Sequence, residues 1–188
     1  MDRHSKRLGQ LVDDLLALAN LESGSSRLHV SEIDLPKLFA DVARDWEKKF
    51  AEKKLQVVVE SPPALPALCA DQGRLQEVLY NLLDNAVKYA PRNGRIWLRA
   101  EQRGDDLVVS VSDNGVGIAQ EDLPRIFERF YRVDKARSRA LGGTGLGLSI
   151  VKHIAQLHGG HAEAESELGK GTTVHVLFPV APKEKTVT

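Results

Sequence analysis

The stretch Gly142-Gly143-Thr144-Gly145-Leu146-Gly147-Leu148 constrains this chain more than any other, because it runs straight into the apolar-periodic segment Ser149-Ile150-Val151-Lys152-His153-Ile154. Glycines that open a helix let the backbone come close to a ligand. The unpaired N–H groups and positive dipole end of that helix then suit an anion, phosphate above all. A flexible entry loop would use the same glycines, so the rest of the chain must discriminate. Gly143, Gly145 and Gly147 give G-x-G-x-G rather than the dinucleotide-binding G-x-G-x-x-G, and Gly169-Lys170-Gly171 lacks the spacing and the Ser/Thr of a phosphate loop.

The bulk properties exclude several classes. The chain has 188 residues, is 42% hydrophobic and has zero formal net charge, which fits one globular domain with an appendage and offers no basic field for nucleic acid. Cys69 is the only cysteine, so no intrachain disulfide exists and no Cys/His cluster has zinc-site spacing. The apolar runs fall short of a membrane span and no signal-peptide pattern opens the chain.

Taken in order, Leu8, Leu11, Leu15 and Leu18 step at heptad-like intervals, with Val12 and Ala19 widening the stripe. The spacing predicts a helix over 1–24 that serves a bundle or packs on its own domain. Residues 25–31, after Glu22-Ser23-Gly24, read as a linker. The main domain is expected over 32–180 and a frayed tail over 181–188. Asp34 and Pro36 open a helix bearing Leu38, Phe39, Val42, Trp46 and Phe50; Leu55 to Glu60 reads as a strand, stopped by Ser61-Pro62-Pro63. Asp71 caps a helix running to about Tyr89. One face of it carries Leu75, Val78, Leu79, Leu82 and Ala86; the other carries Glu77, Asn81, Asp84, Asn85, Lys88 and Tyr89. Two asparagines one turn apart add little to an exposed helix, whereas their carbonyl oxygens suit a hard cation such as Mg²⁺.

A hairpin follows, in which Ile96, Leu98 and Ala100 alternate with Arg95, Trp97 and Arg99, and Leu107, Val109 and Val111 with Val108, Ser110 and Ser112. It delivers Asp113-Asn114-Gly115-Val116-Gly117-Ile118, read either as a fixed carboxylate beside an open backbone or as an Asn-Gly turn. Glu121 to Arg129 reads as a short helix. Val133 to Leu141, with Lys135, Arg137 and Arg139, reads as a basic lid or a solvated loop. The glycine-entered helix ends at Gly159-Gly160, and strands around His161–Glu165 and Thr172–Phe178 close the domain.

No V-A-I-K, H-R-D or D-F-G string of the protein-kinase set appears. The succession N-L-L-D-N-A-V-K-Y (81–89), D-N-G-V-G-I (113–118), I-F-E-R-F-Y-R (126–132), G-T-G-L-G-L (143–148) and G-K-G-T-T (169–173) instead resembles the ATP-binding domain of bacterial sensor histidine kinases, box by box and in order. The N-terminal helix resembles the second helix of their dimerisation and phosphotransfer domain. The resemblance implies an α/β (α+β) two-layer sandwich, a mixed and largely antiparallel sheet with helices on one face.

The resemblance also implies roles. Asp113 would accept the adenine amino group, Tyr89 stack on the base, and Ile118 and Leu148 line its pocket. Asn85 would ligate Mg²⁺ with Asn81 nearby, and Lys88, Tyr131 and Arg132 would touch phosphates. Gly143, Thr144, Gly145, Leu146, Gly147 and Leu148 would wrap them, with Gly115, Gly117 and Thr172 completing the ATP site. Phe127 and Phe130 would anchor the lid by packing into the core. Asn81, Lys88 and Arg132 form the implied catalytic set. An amide at Asn81, where related ATPases resemble one another in having a glutamate, cannot act as a general base. This directs ATP toward a protein histidine rather than water. No H-E-x-x-T-P-like sequence occurs in the chain, and His4, His153, His158 and His161 are poor acceptors. The acceptor helix, a response regulator receiver domain, and a homodimeric parent are the implied partners, with a cytoplasmic location. A nucleotide-binding interaction module, or an ATPase or anti-sigma-type serine kinase of the same superfamily, are the alternatives.

Overall fold

A computed structural model describes residues 9, 11, 12, 15, 16, 18, 19, 27–62, 65–134 and 142–180. Asp34 caps the first long helix, α1 (Leu35–Lys53): its Oδ1 accepts the Lys37 N–H at 3.0 Å, and Pro36 lies in the first turn. Asp71 caps α2 (Gln72–Tyr89) in the same way, accepting the Arg74 N–H at 3.1 Å. The third helix, α3 (Gly147–Leu157), has Leu146 at its N-cap position and no side-chain cap.

Seven strands accompany them: β1 (Val30–Ile33), β2 (Gln56–Glu60), β3 (Leu68–Asp71), β4 (Arg95–Arg103), β5 (Asp106–Asp113), β6 (His161–Glu167) and β7 (Gly171–Pro179). β1 and β3 form a small antiparallel pair. The main sheet has the order β2-β4-β5-β7-β6, with β2 parallel to β4 and every other pairing antiparallel. The apolar stripes of the helices and the inward residues of the sheet, among them Ile96, Leu98, Val109, Val111, Val174 and Val176, share one core. Helices therefore cover one face, as the resemblance implies.

The central strand differs from simple alternation. Val108, Ser110 and Ser112 on the outer face of β5 are buried along with the inner residues, because β4 and β7 flank them on both sides. Their polar atoms are paired: Ser110 Oγ meets His175 Nδ1 at 2.7 Å, and Ser112 meets Thr173. Burial holds His175 below its usual range, and the nearby Arg103 guanidinium adds to the effect.

Two expected elements are corrected. The linker over 25–31 gives way at Val30 to β1, whose V-S-E-I sequence is too short and mixed to announce a strand. The helix expected over Glu121 to Arg129 reduces to a single 3-10 turn at Leu123–Arg125. Nine residues interrupted by Pro124 gain too few hydrogen bonds to offset helix nucleation.

In the N-terminal stretch, Leu11, Val12, Leu15, Leu16, Leu18 and Ala19 are helical. Of the leucine seam, Leu18 is 5% exposed within the core and Leu11 packs against that core, while Leu15 remains 41% exposed. Leu8, the residues Glu22 to Ser26, the lid residues Lys135 to Leu141 and the tail 181–188 lie outside the described residues. Among the described residues, no helix is long and apolar enough to cross a membrane.

Two long-range contacts hold α2 in place. The Lys53 Nζ donates to the carbonyls of Val87, Lys88 and Ala90 at 2.6, 3.1 and 3.0 Å, satisfying the last turn of α2 and its negative dipole end. At the other end, the Asp71 N–H donates to His158 Nε2 at 3.0 Å, so His158 Nδ1 must donate to the Ile154 carbonyl at 2.8 Å. His158 thus ties the end of α3 to the start of α2. His158→Ala leaves the Asp71 N–H without its partner and removes an edge contact to Phe178. We expect a loss of about 2 kcal/mol in denaturant unfolding; an unchanged midpoint would refute this assignment.

Candidate functional site

The cleft lies beside the C-terminal end of α2, the loop after β5 and the β6–β7 turn, lined by Lys88, Tyr89, Asn114, Gly115, Val116 and Gly169, and α2 meets the N-terminus of α3 at Gly147. The polar face of α2 comes first. Asn81 Nδ2 donates to the Glu77 carbonyl at 2.9 Å, which turns its Oδ1 toward α3. A Cβ added at Gly147 would sit 2.8 Å from that oxygen, so glycine is what lets the two helices meet here. Asn85, one turn further on, makes no side-chain hydrogen bond among the described residues. Glu77 is ion-paired with Arg74 at 2.9 Å. Lys88 is held by Asp84, i and i+4 on the same helix, at 2.5 Å. Tyr89 ends the helix, half-buried.

The N-terminus of α3 has no side-chain cap among the described residues. The Leu146 N–H turns back to Thr144 Oγ1 at 3.3 Å, and Ser149 Oγ donates to the Leu146 carbonyl instead of capping an N–H. Gly145 sits at φ +81°, and its carbonyl accepts the Phe130 N–H at 2.8 Å. The glycine loop is therefore stitched to the end of the Ile126–Arg132 segment. Leu146 is fully buried in the core, so this predicted site residue can present only its backbone to a ligand, and Leu148 packs partly against the core. Gly143 and Thr144 complete the entry; the Thr144 side chain is buried.

Phe127 packs against the core as the sequence predicts, but Phe130 does not. It is 56% exposed at φ +61°, a left-handed turn that points the ring outward while its N–H pairs with Gly145. Tyr131 donates its hydroxyl to Asp122, and the Arg125 guanidinium stacks on its ring at 4.3 Å. Arg132 follows, half-buried. Lys88 and Tyr131 thus both have protein partners, which a phosphate would have to replace.

Asp113 closes β5. Its Oδ1 accepts the Gly115 N–H at 2.7 Å, and its carboxylate also accepts from the Thr172 backbone, its partner across the sheet. Burial nonetheless pushes its pKa up to about 6, the two N–H groups opposing the rise. The glycines beside it are also required by the packing of the backbone. A Cβ at Gly115 would lie 2.5 Å from the Tyr89 carbonyl oxygen, and one at Gly117 would lie 2.0 Å from that of Glu167. Both glycines let backbone meet backbone. Ile118 donates its N–H to Ser166 Oγ at 2.8 Å, and the Gly169 N–H reaches the Val116 carbonyl at 2.8 Å, so the loop after β5 is clamped to the β6–β7 hairpin. We expect Gly117→Ala, at φ +69°, to cost about 2–4 kcal/mol and to weaken nucleotide binding. Calorimetric unfolding with a parallel binding titration checks both.

Sequence reasoning missed Lys53, His158 and Ser166. Only Ser166 left a trace, as a small polar residue at an inward position of a strand.

Residues 70–182 match the family model described as histidine kinase-, DNA gyrase B-, and HSP90-like ATPase. That is more than half of the chain, and the chain belongs to this family. Its relatives include proteins named as sensor histidine kinases. It is 34% identical over 182 residues to the sensor-like histidine kinase SenX3 of Mycolicibacterium smegmatis, covering 97% of this chain and 47% of that protein. It is 36% identical over 183 residues to the sensor histidine kinase WalK of Bacillus subtilis, covering 96% of this chain and 30% of that one. The chain thus spans about half of the first relative and less of the second. Among solved structures, full-length ShkA in complex with AMPPNP superposes with a TM-score of 0.83 at 32% identity, over 96% of this chain and 38% of that one. The histidine kinase ThkA in complex with the response regulator TrrA gives 0.76 at 27% identity, over 97% and 50%.

Proposed function

We propose that this chain binds Mg-ATP and transfers its γ-phosphoryl group to a histidine on a phosphoacceptor helix, for onward transfer to a response regulator. The observation that carries the reading is the junction of α2 and α3: an uncapped helix N-terminus meets the Asn81 amide across Gly147. The open N–H groups suit phosphate oxygens. The amide supplies no base for water, and the carboxylate one turn earlier, Glu77, is engaged by Arg74. Positioning and charge stabilisation are what such a site can offer a loose phosphoryl transition state.

In this reading Asp113 and Thr172 read the base, Tyr89 stacks on it with Ile118 and Leu148 as walls, and Lys88, Tyr131 and Arg132 exchange their present partners for phosphate. Mg²⁺ binds through phosphates, water and one or two protein oxygens; the Asn85 amide, whose side chain makes no hydrogen bond among the described residues, would supply this chain's ligand. When bound, the ion neutralises phosphate charge. The helix bearing Leu11, Leu15 and Leu18 would be the second helix of the acceptor bundle, and a supply of ATP and receiver domains places the reaction in the cytoplasm. The test is to incubate the chain with Mg-ATP and a separately supplied acceptor-helix domain. Acid-labile phosphate on the acceptor histidine is expected; tight ATP binding with no such phosphate would sink the reading.

A further inference from the structure

Asp113, Thr172 and Ser166 are consecutive partners across β5, β7 and β6. Alternation places all three on the helix-facing side of the sheet, in the row that ends at the cleft. Ser166 Oγ has three neighbours there: the Ile118 N–H at 2.8 Å, the Gly171 carbonyl oxygen at 2.7 Å and Thr172 Oγ1 at 2.8 Å. A hydroxyl has one proton and two acceptor sites. The Gly171 carbonyl can only accept, so it takes the Ser166 proton. The Ile118 N–H can only donate, so it takes one acceptor site. The remaining contact must then be donated by Thr172. Ser166 is saturated, and the Thr172 proton is directed at Ser166.

We infer that Ser166 is a positioning residue that sets base specificity by fixing the polarity of Thr172. This rests on the proposed reading that Asp113 and Thr172 face the base. With its proton committed to Ser166, Thr172 Oγ1 presents only lone pairs beside the Asp113 carboxylate. The edge of the cleft is then an acceptor pair. It matches an exocyclic amino group, as on adenine, and opposes a carbonyl oxygen, as at the same position of guanine. The same hydroxyl holds Ile118, whose N–H anchors the loop after Gly117. Without Ser166, the Thr172 hydroxyl turns freely and can donate to a guanine oxygen.

The experiment is a calorimetric titration of wild type, S166A, S166T and T172V with Mg-ATP and Mg-GTP, each variant first checked for a native unfolding transition. S166A should lose affinity for ATP and narrow the ratio of ATP to GTP affinity by about tenfold. S166T, which restores a hydroxyl, should keep the ratio within about twofold of wild type. T172V should narrow it, and S166A added to T172V should change it no further. An unchanged ratio in S166A overturns the inference, as does an equal loss for both nucleotides, which would mean loop support alone. Should S166A not fold, an unchanged ratio in T172V overturns it equally. A wild-type chain that binds no ATP would instead overturn the reading beneath it.

Discussion

Replacing Asp113 by asparagine should abolish the pH dependence of nucleotide binding and, at neutral pH, most of the binding itself. The wild-type carboxyl titrates near pH 6 because burial disfavours its charge. In the proposed reading it is, above that pH, an anionic acceptor for the base; below it, the proton occupies the acceptor. Affinity for Mg-ATP should therefore fall as pH drops through 6, and binding near that pH should release a proton. Titrations in buffers of different ionisation heat measure this directly. In Asp113→Asn the affinity should be lower by about tenfold or more and flat across the range. A wild-type affinity that does not change between pH 5 and 7.5 would be the contrary result.

The same group makes a stability prediction of definite sign. The ordinary carboxyl value is 3.8 and the folded value is about 6. Between them the folded chain keeps a proton that the unfolded chain has released, so stability falls as pH rises through this window. The loss amounts to about 3 kcal/mol and persists above pH 6. His175 acts oppositely: its folded value is depressed, so its contribution is present at high pH and is lost as pH falls below 6.5. A bare stability curve would mix the two. The difference between wild type and Asp113→Asn, measured by denaturant unfolding at pH 3 and pH 7, isolates Asp113 and should change by about 3 kcal/mol.

What was legible in the sequence was what depends on period and local chemistry. The caps at Asp34 and Asp71, the two-faced helix of Asn81 and Asn85, and the glycine entry to α3 are each written in adjacent residues, and each stands in the structure. What was illegible depends on partners distant in the chain. Ser166 lies 48 residues from Ile118, and His158 lies 87 residues from Asp71. Neither pairing leaves a periodic trace. A packing reason for Gly115 and Gly117 was hidden for the same cause: only the fold brings the carbonyl oxygens of Tyr89 and Glu167 to where a Cβ would lie. Phe130 followed the apolar expectation of its type until a left-handed backbone turned it outward.

Asn85→Ala should separate binding from transfer more sharply than any other single change. Asn81 and Asn85 look equivalent in sequence, yet the structure gives them different surroundings. The Asn81 amide is fixed by the Glu77 carbonyl and lies against Gly147, so it belongs to the joint between the two helices. Asn85 stands one turn away with its carbonyl oxygen available to a cation. If it ligates Mg²⁺, its removal leaves the base contacts and the glycine loop intact, so the Kd for ATP should rise only about fivefold. Transfer should fall by about 100-fold at saturating nucleotide, because charge on the migrating phosphoryl group must be neutralised most completely in the transition state. The Mg²⁺ concentration for half-maximal transfer should also rise, which loss of a merely structural side chain would not produce. Asn81→Ala should show the reverse balance, with a weakened joint and a larger rise in Kd. Single-turnover transfer and binding titrations, run over a range of Mg²⁺ concentrations, provide the comparison. Equal losses of affinity and rate in Asn85→Ala would assign both asparagines to the joint and remove Asn85 from the metal site.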